Sequence, residues 1–168
     1  GLGSNVLIPD EGLPGVVAIL EGDFLDWSFH GELAVAGAGL PLARLARAAA
    51  ERGLSGLEAL AGFPSTVGGA VVMNAGCYGT EIKDILESAT VIQPDGTVET
   101  LTPGDLQASY RWTTLLTSSA IVVRANFRLR EGDPEELLGR LRELNQKRRD
   151  RMPSGRPNAG SVFKNPPG

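Results

Sequence analysis

Apolar residues in the first forty positions come in short clusters separated by glycine and proline: Val6-Leu7-Ile8, Val16-Val17-Ala18-Ile19-Leu20, Phe24-Leu25-Asp26-Trp27-Ser28-Phe29 and Leu33-Ala34-Val35-Ala36. Clusters of this length bounded by turn residues predict short strands. The period then lengthens. Over 41–52, Leu42, Leu45, Ala46 and Ala49 share one face at helical spacing, with Pro41 in the first turn and Gly53 placed to end the helix. Further on, Ala89–Gln93 and Thr97–Leu101 flank Pro94-Asp95-Gly96, and an Asp-Gly between two such runs is a hairpin signal. Ile121–Leu129 reads as another strand. Pro134 to about Arg151 reads as a charged amphipathic helix with Leu137, Leu138, Leu141 and Leu144 on its apolar face. Strands and helices in this order predict an α+β domain.

Residues 54–80 break the pattern. Small side chains dominate and charge nearly vanishes in Gly62-Phe63-Pro64-Ser65-Thr66-Val67-Gly68-Gly69-Ala70-Val71-Val72-Met73-Asn74-Ala75-Gly76-Cys77-Tyr78-Gly79. Such a stretch favours close approach to the backbone. It suits either a flat or phosphorylated ligand lying on main chain, with Ser65, Thr66 and Asn74 as polar contacts, or a tightly packed structural loop. A second glycine-rich segment, Gly1-Leu2-Gly3-Ser4-Asn5, precedes the apolar Val6-Leu7-Ile8. It reads as an ordinary turn before a strand, or as amides converging on an anionic oxygen with Ser4 and Asn5 as added donors.

Neither segment ends in the Gly-Lys-Ser/Thr of a P-loop. Gly37-Ala38-Gly39 before the first helix has Leu42 where a dinucleotide fingerprint needs its third glycine, so a Rossmann fold is not expected. Toward the C-terminus, Asn158-Ala159-Gly160-Ser161-Val162-Phe163-Lys164-Asn165-Pro166 presents a hydroxyl after a glycine. It is not a nucleophile elbow, because Ala159 and Phe163 occupy the two glycine places, and the single histidine, His30, sits far away in sequence.

Composition narrows the classes. The 168 residues, 42% hydrophobic and 21% charged, suit one globular domain with a short extension. Sixteen basic against 20 acidic residues give a net charge of −4, which argues against a nucleic-acid surface. The lone Cys77 cannot close an internal disulfide, and no apolar run approaches the ~20 residues of a membrane span. A cytoplasmic setting, with no membrane and no obligatory protein partner, is therefore expected. One His and one Cys predict no metal site. The chain opens on Gly1 rather than Met and stops at Gly168 in a turn-rich stretch, so a piece of a longer protein is expected.

Taken together, Gly1–Asn5, Gly62–Gly79, Tyr110-Arg111 and Gly160-Ser161-Val162-Phe163-Lys164-Asn165-Pro166 resemble, in content and order, the UDP-N-acetylenolpyruvoylglucosamine reductase family of peptidoglycan-precursor synthesis. The resemblance spans essentially the whole chain. It implies a fold of the PCMH / vanillyl-alcohol-oxidase-like superfamily, with residues 1–130 as an FAD-binding core. Residues 131–168 would be a helix and the start of a substrate-binding region, the flanking parts being absent. It also implies non-covalent FAD held by Gly1, Gly3, Ser4, Asn5, Gly62, Pro64, Ser65, Thr66, Gly68, Gly69, Asn74, Ala75 and Gly76. NADPH would be the reductant and a UDP-sugar the substrate. Arg111 would be the catalytic arginine, able to stabilise the enolate-like charge on the substrate carboxylate, and Ser161 the proton donor. Tyr110, Arg111, Lys164 and Asn165 would contact substrate. A related flavin oxidase or dehydrogenase, and a non-catalytic flavin- or nucleotide-binding module, remain as alternatives. Read alone, Arg111 is a surface ion-pair residue, and Lys147-Arg148-Arg149-Asp150-Arg151 a solvated helix end.

Overall fold

The computed structural model describes residues 2–152 and 160–166. A five-stranded antiparallel sheet forms the centre, built from β1 (Trp27–His30), β2 (Leu33–Gly37), β6 (Leu86–Ile92), β7 (Val98–Leu101) and β8 (Ile121–Arg128) in the order β1-β2-β8-β6-β7. Two short pairs surround it: β3 (Leu54–Ser55) with β9 (Arg130–Glu131), and β4 (Gly76–Cys77) with β5 (Thr80–Glu81). The helices are α1 (Leu42–Ala50), α2 (Val67–Val72) and α3 (Pro134–Arg151). The α+β expectation holds, and the all-antiparallel central sheet is not a Rossmann arrangement.

The alternation read from the sequence decides which face is buried. Ala34 and Ala36 of β2, Ala89 and Val91 of β6, and Val122, Ala125 and Phe127 of β8 point to one side. There they meet Leu42, Leu45, Ala46 and Ala49 of α1, and Val67, Ala70 and Val71 of α2, in a single apolar cluster. Residues opposite each other in the register share a face, so the facing residues of β2 at this core are alanines, which brings the helices close to the sheet. On α3, Asp133 caps the start by accepting from the Glu136 amide at 2.9 Å, while Leu137 and Leu144 are buried against α1 and the turn at Glu58–Leu60.

The hairpin forms as expected around Asp95-Gly96. Gly96 takes φ +87°, and the Asp95 carboxylate accepts from the Thr97 amide at 2.9 Å. Pro41 stands one place outside α1 rather than in its first turn, and its φ of −59° leads into Leu42. Two expected strands are absent. Val6–Ile8 and Val16–Leu20 run as irregular chain, with Leu7 98% and Val16 97% exposed. A strand needs a ladder partner for its N–H and C=O groups, and neither segment pairs with a strand among the described residues. The third is shortened: Gly22–Leu25 winds into a 3-10 turn, and pairing starts only at Trp27.

Phe127 is fully buried on the central strand β8. Phe127→Ala is expected to cost about 3–5 kcal/mol through lost burial and a residual cavity. Urea unfolding followed by circular dichroism checks this.

Candidate functional site

The site begins where β2 ends. The β2–β8 register runs one step past β2, with Ala38 N–H donating to the Val123 carbonyl at 3.0 Å, and the chain then leaves the sheet at Gly39-Leu40. The glycine-rich helix α2 is seated on that exit. Val67 N–H donates to the Leu40 carbonyl at 2.8 Å, and Gly68 N–H to the Ala38 carbonyl at 2.9 Å. Thr66 caps the helix, its hydroxyl accepting from Gly69 N–H at 3.3 Å. A Cβ on Gly68 would lie 2.9 Å from the Ala38 Cβ, so this helix can sit this close only with glycine there. Pro41 and Thr66 form an isolated bridge beside the same contact.

A cleft of about 530 Å³ opens over this junction. Its walls come from four places: Leu2; the 18–21 stretch with Leu25; Ala38, Gly39, Pro41 and Arg44; and Thr66, Gly68, Gly69 and Val72, closed by Ala120–Val122. Its size falls in the ~300–1,000 Å³ range of small-molecule and cofactor sites. The lining is largely apolar or small. Arg44 is the cation at its edge, its guanidinium stacked 5.1 Å from the Trp27 ring centre. The first glycine-rich segment is tied to the second beside it, because the Ser4 hydroxyl donates to the Pro64 carbonyl at 2.7 Å and the Asn5 amide approaches Met73 Sδ at 3.4 Å.

A second constellation follows α2. Asn74 is 1% exposed at φ +41°, and its carboxamide is fully engaged: Nδ2 donates to Glu81 Oε2 at 3.0 Å and to the Ser109 carbonyl at 2.8 Å, while Oδ1 accepts from Lys83 N–H at 2.9 Å. Ser109 and Trp112 pair across a two-residue turn made by Tyr110 and Arg111, with Arg111 in the left-handed region at φ +53°. The Arg111 guanidinium donates to the Gly76 carbonyl, lies 3.9 Å from Glu81 Oε1 and stacks 5.0 Å from the Tyr110 ring centre. Lys83 Nζ reaches Glu81 Oε2 at 2.9 Å, and that bond holds the Lys83 ammonium above its ordinary pKa. The Tyr110 hydroxyl accepts from Asn165 N–H at 3.4 Å, which brings the C-terminal serine segment to the arginine turn.

Residues 1–102 match the family model described as an FAD binding domain. The chain belongs to the FAD-binding domain family. It is 43% identical over 166 residues to UDP-N-acetylenolpyruvoylglucosamine reductase of Halalkalibacterium halodurans, covering 99% of this chain and 55% of that protein. The same-named protein of Lactobacillus delbrueckii subsp. bulgaricus is 45% identical, with 100% of this chain and 56% of that one covered. The crystal structure of UDP-N-acetylenolpyruvylglucosamine reductase (MurB) from Thermus caldophilus superposes with a TM-score of 0.86 at 41% identity, over 98% of this chain and 59% of that chain. The chain thus spans about half the length of the curated relatives it matches.

For an FAD-binding domain the cleft is chemically apt. Small residues at 38, 39, 68 and 69 keep side chains out of its floor, apolar walls suit a flat ring, and Arg44 supplies a positive charge. Of the residues expected to hold cofactor, Thr66, Gly68 and Gly69 line it. Gly3, Ser4, Asn5 and Pro64 belong to the tie beside it, and the Ser65 hydroxyl donates to its neighbour's carbonyl, Thr66 O, at 2.9 Å. Gly62 faces α3 instead, where a Cβ would meet Asn145 Oδ1 at 3.0 Å. Asn74 and Gly76 build the arginine unit, and Ala75 packs on the core. Gly1 lies outside the described residues. Ser161, Lys164 and Asn165 are exposed, and among them Asn165 makes the contact with Tyr110.

The sequence reading missed the 18–21 stretch, Arg44, Ala120–Val122 and Glu81. Gly37-Ala38-Gly39 was the available signal for the cleft, visible as small residues at a strand end. No group of three or more His, Cys, Asp or Glu suited to a metal occurs among the described residues, and no described helix is long and apolar enough to cross a membrane. Gly68→Val should lift α2 from Ala38, costing about 1–3 kcal/mol as an overpacked contact. Flavin absorbance per chain after gel filtration is expected to fall well below that of the parent protein.

Proposed function

We propose that this chain is the FAD-holding part of a cytoplasmic enzyme that uses NADPH to reduce UDP-N-acetylglucosamine enolpyruvate to UDP-N-acetylmuramate, in the synthesis of the cell wall and thus in cell shape and division. The observation that carries the reading is the Tyr110-Arg111 turn with the Ser161 segment drawn to it by Asn165, in a chain of the FAD-binding domain family. The names of the relatives support the same activity. Residues 1–130 would hold the cofactor, and 131–168 would lead into the substrate-binding part.

FAD, when bound, supplies the two-electron carrier between NADPH and substrate. The cleft residues Ala38, Gly39, Thr66, Gly68 and Gly69, with the Gly1–Asn5 turn beside them, exclude water and hold it non-covalently. The first amides of α2 are spent on Leu40, Ala38 and Thr66, so its contribution is shape rather than donors. Arg44 offers charge to the pyrophosphate.

Arg111 faces the carboxylate of the enolpyruvyl group. Hydride arriving at the vinyl carbon remote from that carboxylate pushes an electron pair toward it, and a guanidinium held beside the oxygens stabilises the resulting enolate. The Ser161 hydroxyl then delivers a proton to the carbon next to the carboxylate, completing addition of one hydride and one proton across the double bond. Tyr110, Lys164 and Asn165 contact the substrate around these two groups.

In the full-length protein, anaerobic mixing with NADPH should bleach the flavin, and the enolpyruvyl substrate should restore its absorbance. Ser161→Ala is expected to leave bleaching intact and slow the recovery by about 10²-fold or more, the size of a general acid's contribution. Bleaching without recovery in the parent protein would reject the substrate assignment. Recovery at the parental rate in the variant would remove Ser161 from proton delivery.

A further inference from the structure

Arg111 is the group on which the proposed chemistry turns, yet it sits half-buried on a two-residue turn beside the exposed Tyr110, and a long arginine side chain has many rotamers open to it. Something must hold it. We infer that Glu81 is a positioning residue for Arg111, fixing the guanidinium through their ion pair while Asn74 and Lys83 fix the carboxylate in turn. The inference rests on the role proposed for Arg111 toward the substrate carboxylate.

The connections are specific. Glu81 gives one oxygen to each side: Oε1 lies 3.9 Å from Arg111 Nη1, and Oε2 accepts from Asn74 Nδ2 at 3.0 Å and from Lys83 Nζ at 2.9 Å. Asn74, 1% exposed, also donates to the Ser109 carbonyl at the base of the arginine turn. One buried carboxamide therefore locks both the carboxylate and the backbone that carries the arginine. The Thr113 hydroxyl, donating to the Val72 carbonyl at 2.6 Å, ties the far side of that turn to the end of α2. Packing leaves no slack between these groups: a Cβ at Gly76 would stand 2.8 Å from Glu81 Cγ and 3.1 Å from Arg111 Nη1.

Charge balance distinguishes positioning from neutralisation. A lone Glu–Arg pair would cancel the positive charge that an anionic substrate needs. Here the Glu81 carboxylate is shared between two cations, 2.9 Å from Lys83 and 3.9 Å from Arg111, while Asp84 also faces Lys83, so the acidic charge falls mainly on the lysine and the arginine's charge is only partly offset. The arginine is oriented without being silenced, and its left-handed backbone is the kind of local strain that surrounding contacts must hold in place.

The test is a double-mutant cycle in the full-length, FAD-loaded protein, read by anaerobic stopped-flow absorbance with NADPH and then UDP-N-acetylglucosamine enolpyruvate. Glu81→Gln should leave the rate of flavin reduction within about twofold of the parent and slow reoxidation about tenfold or more, with Glu81→Asp recovering part of the loss. In an Arg111→Ala background Glu81→Gln should add nothing, because a residue acting through another is non-additive with it. Parental reoxidation by Glu81→Gln, or an effect that multiplies with that of Arg111→Ala, overturns the inference while leaving the proposed reaction standing. Parental reoxidation by Arg111→Ala overturns the role of the arginine itself, and the inference with it. If Glu81→Gln loses its FAD, Glu81→Asp takes its place in the same cycle: reoxidation slowed by about twofold or more, with no further slowing in the Arg111→Ala background, supports the inference, and parental reoxidation overturns it.

Discussion

The seating of α2 on the end of β2 is the contact from which the rest of the site follows. Two strand-exit carbonyls, Ala38 and Leu40, accept the amides of Val67 and Gly68, and the absence of a side chain at Gly68 lets the helix come down to them. That contact settles two things at once. It leaves a cleft lined by small and apolar residues above the junction, and it aims the C-terminal end of α2 at the segment that carries Asn74, Gly76 and Glu81. Cofactor cleft and arginine unit are thus two ends of one six-residue helix.

The glycine-rich stretch does its work by what it lacks. Amides that a glycine loop would often present to phosphate are already bonded inside the protein, so α2 contributes a close, smooth wall. Positive charge enters instead from Arg44 on α1, held against Trp27 of β1. At the other end, exposed Tyr110 and half-buried Arg111 are held by buried chemistry, with Asn74 as the hidden link between the turn and Glu81.

Helix α1, helix α3, the hairpin at Asp95-Gly96 and the strand from Ile121 were legible because each is written in local periodicity or turn chemistry. Val6–Ile8 and Val16–Leu20 have the apolar content of strands, but pairing depends on a neighbour that local sequence does not describe. The cleft was only half legible for a related reason: its walls come from separate segments, and the 18–21 and 120–122 stretches carry no motif. Arg111 and Ser161 were reached through family resemblance rather than through spacing. Asn74 was legible as a polar residue in a small-residue run, but its burial and its bonds to Glu81 and Ser109 are tertiary facts. Glu81 reads in sequence as one more surface acid, and its partners declare it only after folding.

The central claim is that FAD occupies the cleft above the α2–β2 junction. The most direct measurement is amide hydrogen exchange on the full-length protein, stripped of flavin and then reloaded with FAD. The account predicts slowed exchange on reloading at 18–21, 38–44, 66–72 and 120–122, with the solvent-facing half of α3 unchanged. Protection confined to other segments, or none at these four, would contradict it.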